Sequence, residues 1–187
     1  MRYKKNFYYI NIEYTNTIEG NFVGDNETIL YEFNSILKAN YDWPNSIIEF
    51  GCDLGNRIDH LIVEEKLGIE FDHVMSLYYN KHMKSRSFTF QDLEEFMLCP
   101  VNKDNKFDCG LFVDLFTNIE SKDYNSLILK MLEYCDVLFL VSKEWPAQEM
   151  AKKITDQNLD ISEVRGKNID HQYNFLFIER INKNENG

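Results

Sequence analysis

At 187 residues the chain is long enough to bury a sizeable core within one domain, and 44% hydrophobic with 27% charged residues is the balance of a soluble globule, not of a disordered or membrane-embedded chain. A formal charge of −11 disfavours a nucleic-acid phosphate backbone as the main partner, because such binding depends on Lys and Arg neutralising phosphates, and a small-molecule or basic partner is easier to accommodate. The four cysteines, Cys52, Cys99, Cys109 and Cys135, show no CxxC spacing and lie in or beside apolar runs, so they read as reduced core residues of a cytoplasmic protein, with no bridge and no metal site.

The opening stretch, MRYKKNFYYINIEY, carries charge but no apolar core of signal-peptide length, and no segment approaches a membrane span. Residues 1–24 have no helical period. Beyond them Ile29, Phe33, Ile36 and Leu37 fall at i, i+4, i+7 and i+8, which predicts an amphipathic helix from Glu27 to about Ala39, with Asp25 or Asn26 as its cap. Next comes IIEFGCDLGNRIDHLIVEEKLGIEF, Ile47 to Phe71. A short apolar run ends at Phe50, a glycine turn covers Gly51 to Gly55, and apolar spacing resumes at Ile58, Leu61 and Ile62. A second short strand, Leu67-Gly68-Ile69, then closes on Glu70. The pattern is strand, turn, helix, strand: a βαβ unit whose turn offers backbone N–H groups to one end of a nucleoside ligand and whose terminal acid suits ribose hydroxyls.

Asp72 is placed to cap a helix with Met75, Tyr78, Tyr79, His82 and Met83 inward. Ser87 to Phe90 reads as a third strand, Gln91 to Phe96 as the start of a helical turn, and Asn102 to Lys106 as a surface loop. Phe107 to Phe112 and Val137 to Val141 read as buried parallel strands, and Ser121 as the cap of a helix bearing Tyr124, Leu127, Ile128, Met131 and Leu132 on one stripe. Pro146 suits the first turn of a helix running to about Gln157. Ile161–Val164 and Tyr173–Ile181 are the last strands, separated by a turn containing Gly166, and the tail from Asn182 is expected to fray. Strands alternating with helices predict an α/β fold, a doubly wound and mostly parallel sheet with helices on both faces. The chain is read as a single domain, with an N-terminal cap and helix over residues 1–45, a Rossmann-like core over 46–181 and the tail over 182–187.

Taken singly, the residues keep plainer readings. The glycine loop is also an ordinary strand-to-helix turn. Glu49 reads equally as a structural acid, and Asp92 as a helix cap. Trp145 is a pocket wall or core; His60 and His73 lack a second ligand at metal spacing, His82 packs inward, and His171 sits in a loop. A dinucleotide-binding dehydrogenase would want G-x-G-x-x-G, where this chain has G-x-x-x-G followed by Asn56 and Arg57.

From Ile47 to about Trp145 the segments EFGCDLG, GIEFDHVM, FQDLEEF and FDCGLFVDLFTNIE, in this order, resemble class I S-adenosylmethionine-dependent methyltransferases. The resemblance implies a seven-stranded sheet with its last strand antiparallel and S-adenosyl-L-methionine as cofactor. It assigns Gly51, Asp53 and Gly55 to the loop against the methionine part, with Glu49 and Cys52 beside it. Glu70 would take the ribose hydroxyls, Phe71 and Phe112 the adenine's surroundings, and Asp92 with the Leu93 backbone the adenine edge. Walls for the acceptor would come from the N-terminal region, Val113 to Asn118, Ser142 to Pro146 and Gly166 to His171. Asn118, Trp145 and His171 are thus candidate substrate contacts, and Asp114 is the candidate to orient or deprotonate the acceptor.

The chain departs from the family pattern at two places. Asp53 replaces the middle glycine of the loop, and Thr117-Asn118 stands where Glu-His is common. No [DN]PP[YF] follows the fourth strand, which argues against amino methylation of adenine or glutamine. A chain without an added recognition domain suits a small polar metabolite such as a sugar or a biosynthetic intermediate. The alternative is a methyltransferase-like binding or partner subunit that has lost turnover.

Overall fold

The structure, a computed structural model, describes residues 28–38, 44–52, 56–71, 86–90, 92–101, 106–165 and 172–181. The expected features at residues 1–24, Asp53, Gly55, the helix from Asp72 to Met83, the Gly166 to His171 turn and the tail lie outside these residues. Seven strands form one sheet: β1 (Ser46–Phe50), β2 (Glu65–Glu70), β3 (Arg86–Thr89), β4 (Phe107–Val113), β5 (Cys135–Ser142), β6 (Leu159–Val164) and β7 (Asn174–Arg180), in the order β3-β2-β1-β4-β5-β7-β6. The first five run parallel, and β7 lies antiparallel to both β5 and β6.

Alternation along the central strands divides the core in two. Ile48, Phe50, Phe112, Leu138, Leu140, Leu176 and Ile178 face one side, where α3 (Leu93–Leu98), α4 (Leu115–Asn118), α5 (Tyr124–Met131) and α6 (Ala147–Lys153) bury Phe96, Phe116, Leu127, Met131 and Met150. Ile47, Cys109, Leu111, Phe139, Val141 and Phe175 face the other, under α1 (residues 28–38) and α2 (Asn56–His60). Strands buried on both sides carry apolar residues at nearly every position, which is why β4 and β5 stand out in the sequence.

Three helices differ from expectation. The apolar spacing at Ile58, Leu61 and Ile62 gives only the five residues of α2, and Ile62 is 82% exposed. Ser121 opens a 3-10 turn, Ser121–Asp123, and the α-helix starts at Tyr124. α6 stops at Lys153 because Asn125, on α5, captures the next stretch of chain: its Oδ1 accepts from the Thr155 N–H at 3.0 Å and its Nδ2 donates to Thr155 Oγ1 at 2.8 Å.

The side chain of Glu32 ties α1 to the sheet. It is 2% exposed and accepts from the backbone N–H groups of Gln172 (2.6 Å) and Tyr173 (3.1 Å), just before β7. Hydrogen bonds to a charged group contribute about 1.5–3 kcal/mol each and share one carboxylate here, so Glu32→Ala is expected to lower unfolding free energy by about 2–3 kcal/mol, and Glu32→Gln by roughly half of that. Urea denaturation of the two variants checks this. Gly110, in β4, is a second fixed point. A Cβ there would stand 2.6 Å from Cys135 Sγ and 3.1 Å from both Leu138 Cδ1 and Phe50 Cε2. Gly110→Ala should therefore cost about 1–2 kcal/mol, the overpacking exceeding what alanine gains in chain entropy, and the urea midpoint should fall without a change of slope.

Three of the cysteines, Cys52, Cys109 and Cys135, are buried thiols, whereas Cys99, expected in the core, is half-buried after α3. Burial pushes the Cys109 and Cys135 thiols well above their ordinary range, so neither is a reactive thiolate at neutral pH. No helix among the described residues is long and apolar enough to cross a membrane.

Candidate functional site

Between β1 and β4 the strand order reverses, and ligands of open α/β sheets bind in the crevice that opens at such a point, beyond the carboxyl ends of the strands. The two strands are paired up to Phe50 opposite Phe112. The residues just past their ends, Gly51 (φ 65°) and Asp114 (φ 57°), are the positions of left-handed backbone found among the described residues. Glycine adopts this conformation freely, but for other residues it costs on the order of 1–2 kcal/mol, less for Asp. Such conformations cluster at ligand sites.

The turn at Gly51 is held from the side of β2. The N–H groups of Gly51 and Cys52 both donate to the Ile69 carbonyl, at 2.7 and 3.1 Å. These two donors therefore serve the fold. Glu49, expected beside the cofactor, is fully buried and accepts from Arg57 Nε at 2.5 Å, while Arg57 Nη2 donates to the Gly51 carbonyl at 3.5 Å. Glu49 is thus the buried partner of the Arg57 guanidinium.

Glu70 ends β2 with its side chain fully buried; its Oε1 accepts from the Phe71 N–H at 2.9 Å, and its carbonyl accepts from the Phe90 N–H at 2.9 Å. Phe71 packs its ring 5.0 Å from Phe96 and 6.1 Å from Phe112 and, like Leu93 and Phe112, is buried in the core. Asp92 is exposed and accepts from the Glu95 N–H at 2.9 Å as the N-cap of α3, so its capping role is realised.

On the β4 side the Asp114 N–H donates to the Val141 carbonyl at 2.8 Å, and Asp114 Oδ1 accepts from Ser142 Oγ at 3.1 Å. The Ser142 hydroxyl in turn accepts from the Trp145 N–H at 3.2 Å, and the Ser142 carbonyl accepts from Asn174 Nδ2 at 3.4 Å. Burial raises the Asp114 pKa above the ordinary carboxylate value, opposed by the Ser142 hydrogen bond, the Arg57 charge and the Lys143 N–H, while Glu144 adds to the rise. A carboxyl moved toward neutrality and held by a hydroxyl is suited to exchange a proton or orient a polar group.

Trp145 is half-buried, its ring 6.2 Å from Phe116 and 4.4 Å from Lys153 Nζ. Asn118 is the last residue of α4. His171, like Asp53 and Gly55, falls outside the described residues. Among the described residues no group of three or more His, Cys, Asp and Glu side chains is arranged to hold a metal ion. No motif singles out Arg57, although a basic residue eight positions after a buried strand acid, across a glycine turn, is a recognisable signal.

No protein-family model matches the sequence, and no curated protein matches it. Solved structures do share its fold. The plantazolicin methyltransferase BamL, in complex with a triazolic desmethylPZN analog and SAH, aligns with TM-score 0.65 and 11% identity over 88% of this chain and 88% of its own. The methyltransferase domain of bacterial CtHen1-C aligns with TM-score 0.61 and 12% identity over 83% and 98% of the two chains. Magnesium protoporphyrin IX methyltransferase (ChlM) from Synechocystis PCC 6803, with bound SAM, aligns with TM-score 0.56 and 11% identity over 84% and 78%. At these identities the likeness is one of architecture, and by strand order, antiparallel β7 and alignment the chain has the class I methyltransferase fold.

Proposed function

We propose that the chain is an S-adenosylmethionine-dependent methyltransferase whose acceptor is a small polar molecule, such as a sugar or another biosynthetic intermediate. The observation that carries this reading is the buried carboxylate of Glu70 at the tip of β2, beside the left-handed turn at Gly51 and the reversal of strand order. A carboxylate so placed matches a pair of ribose hydroxyls, and a turn without a side chain lets a ligand come close to the backbone. Similar structures solved with SAM or SAH support the choice of nucleoside.

When bound, the cofactor supplies a methyl group that is already electrophilic on its sulfonium, which leaves the protein to position the acceptor and exclude water. Glu70 takes the ribose, and residues 51–55 receive the methionine part with Glu49 bracing the turn. Phe71 and Phe112 lie along the adenine, with Asp92 and the Leu93 backbone at its edge. Asp114, with Ser142 hydrogen-bonded to it, orients or deprotonates the acceptor. Asn118, Trp145 and His171 form the acceptor's walls.

Incubating the protein with methyl-labelled S-adenosylmethionine and separated cell fractions tests the reading. Label should appear in the low-mass polar fraction; label in protein or nucleic acid would overturn the acceptor class. Cofactor binding with no label transferred to any fraction would favour the second reading, a binding subunit without turnover, which the Thr117-Asn118 departure motivates.

A further inference from the structure

Arg57 is 6% exposed, and its guanidinium stands at the meeting point of β1, α2 and the Gly51 turn. Nε is bound to the Glu49 carboxylate, and Nη2 makes a long hydrogen bond of 3.5 Å to the Gly51 carbonyl. Because the guanidinium is planar and rigid, fixing one edge on Glu49 fixes the direction of the other. Gly51 is thereby contacted on both sides: its N–H donates to the Ile69 carbonyl on β2 at 2.7 Å, and its carbonyl takes the longer, weaker contact from Arg57 on α2. The residue contacted is the one with φ 65°. On β2 the register partner of Glu49 is Gly68.

A buried ion pair is weak grounds for stability, since removal from water offsets most of its attraction and apolar residues of similar volume commonly serve a fold as well or better. What a buried pair adds that apolar residues do not is a defined geometry. We propose that Arg57 is a positioning residue: held by Glu49, it clasps the Gly51 carbonyl and keeps the turn in the form that receives the nucleoside ligand, an inference that rests on the methyltransferase reading above. Its charge also reaches Asp114 and favours the ionised carboxylate, so one guanidinium serves both strand ends at the crevice.

Amide hydrogen exchange on the full chain reads the clasp without any ligand. Arg57→Met alone would leave the Glu49 carboxylate buried without its guanidinium and risks unfolding, so the comparison is with the double variant Glu49→Leu/Arg57→Met, which fills the space with apolar groups. The Gly51 and Cys52 amides of the double variant should exchange on the order of tenfold faster or more, while the Leu111 and Leu140 amides keep their protection. In calorimetric titration the double variant should bind S-adenosylhomocysteine roughly 10- to 100-fold more weakly than wild type. Unchanged protection at Gly51 and Cys52 overturns the inference, and so does full affinity in the double variant. Failure of the wild type to bind S-adenosylhomocysteine overturns the methyltransferase reading instead, and the exchange rates still decide whether Arg57 holds the turn.

Discussion

Glu70→Ala is expected to weaken S-adenosylmethionine binding by about 2–4 kcal/mol, roughly 30- to 1000-fold in dissociation constant. Each charge-assisted hydrogen bond from a ribose hydroxyl to a buried carboxylate contributes on the order of 1.5–3 kcal/mol, but two bonds on one carboxylate are not additive, and water enters the space that alanine leaves. Glu70 also accepts from the Phe71 N–H, so part of any loss reflects a loosened end of β2. Glu70→Gln separates the two contributions. Its amide oxygen still accepts one hydrogen bond, so binding should fall less than in Glu70→Ala while the fold is kept. Calorimetry on both variants, with circular dichroism as the check on folding, measures the difference.

Gly51→Val should reduce cofactor binding by about 100-fold or more while leaving the secondary structure intact. At φ 65° a β-branched side chain is strained whatever room surrounds it, and the turn must move to relieve the strain. The movement pulls on the hydrogen bonds from Gly51 and Cys52 to Ile69, at the place where the ligand must approach the backbone. A native circular dichroism spectrum together with undiminished affinity would show that the binding site lies elsewhere.

How much of this was legible in the sequence depends on how local the cause is. β4 and β5 were readable because strands buried on both faces must be apolar throughout, and the stripe Ile29, Phe33, Ile36 and Leu37 gave α1 because all four residues are buried on one side. The end of α6 was not readable, since Asn125, 30 residues away, takes the Thr155 N–H that a longer helix would have used. α2 was overextended because Ile62 fits the apolar period yet points to solvent.

In the candidate site, Gly51 and Glu70 were legible as strand-end positions because a glycine turn follows one and an acid closes the other, whereas Asp114 rested on the family resemblance alone. Glu32 was missed because its partners lie 140 and 141 positions away. Asp92 and Glu49 had two readings each in the sequence. In the structure Asp92 caps α3 and Glu49 is hydrogen-bonded to Arg57.

The most direct measurement is a calorimetric titration of the purified chain with S-adenosylmethionine, S-adenosylhomocysteine and a nicotinamide dinucleotide, repeated with Glu70→Ala. Saturable one-to-one binding of both S-adenosyl compounds, lost or strongly weakened in the variant, with none of the dinucleotide, is the predicted result. Binding of the dinucleotide alone, or of none of the three, would contradict the assignment.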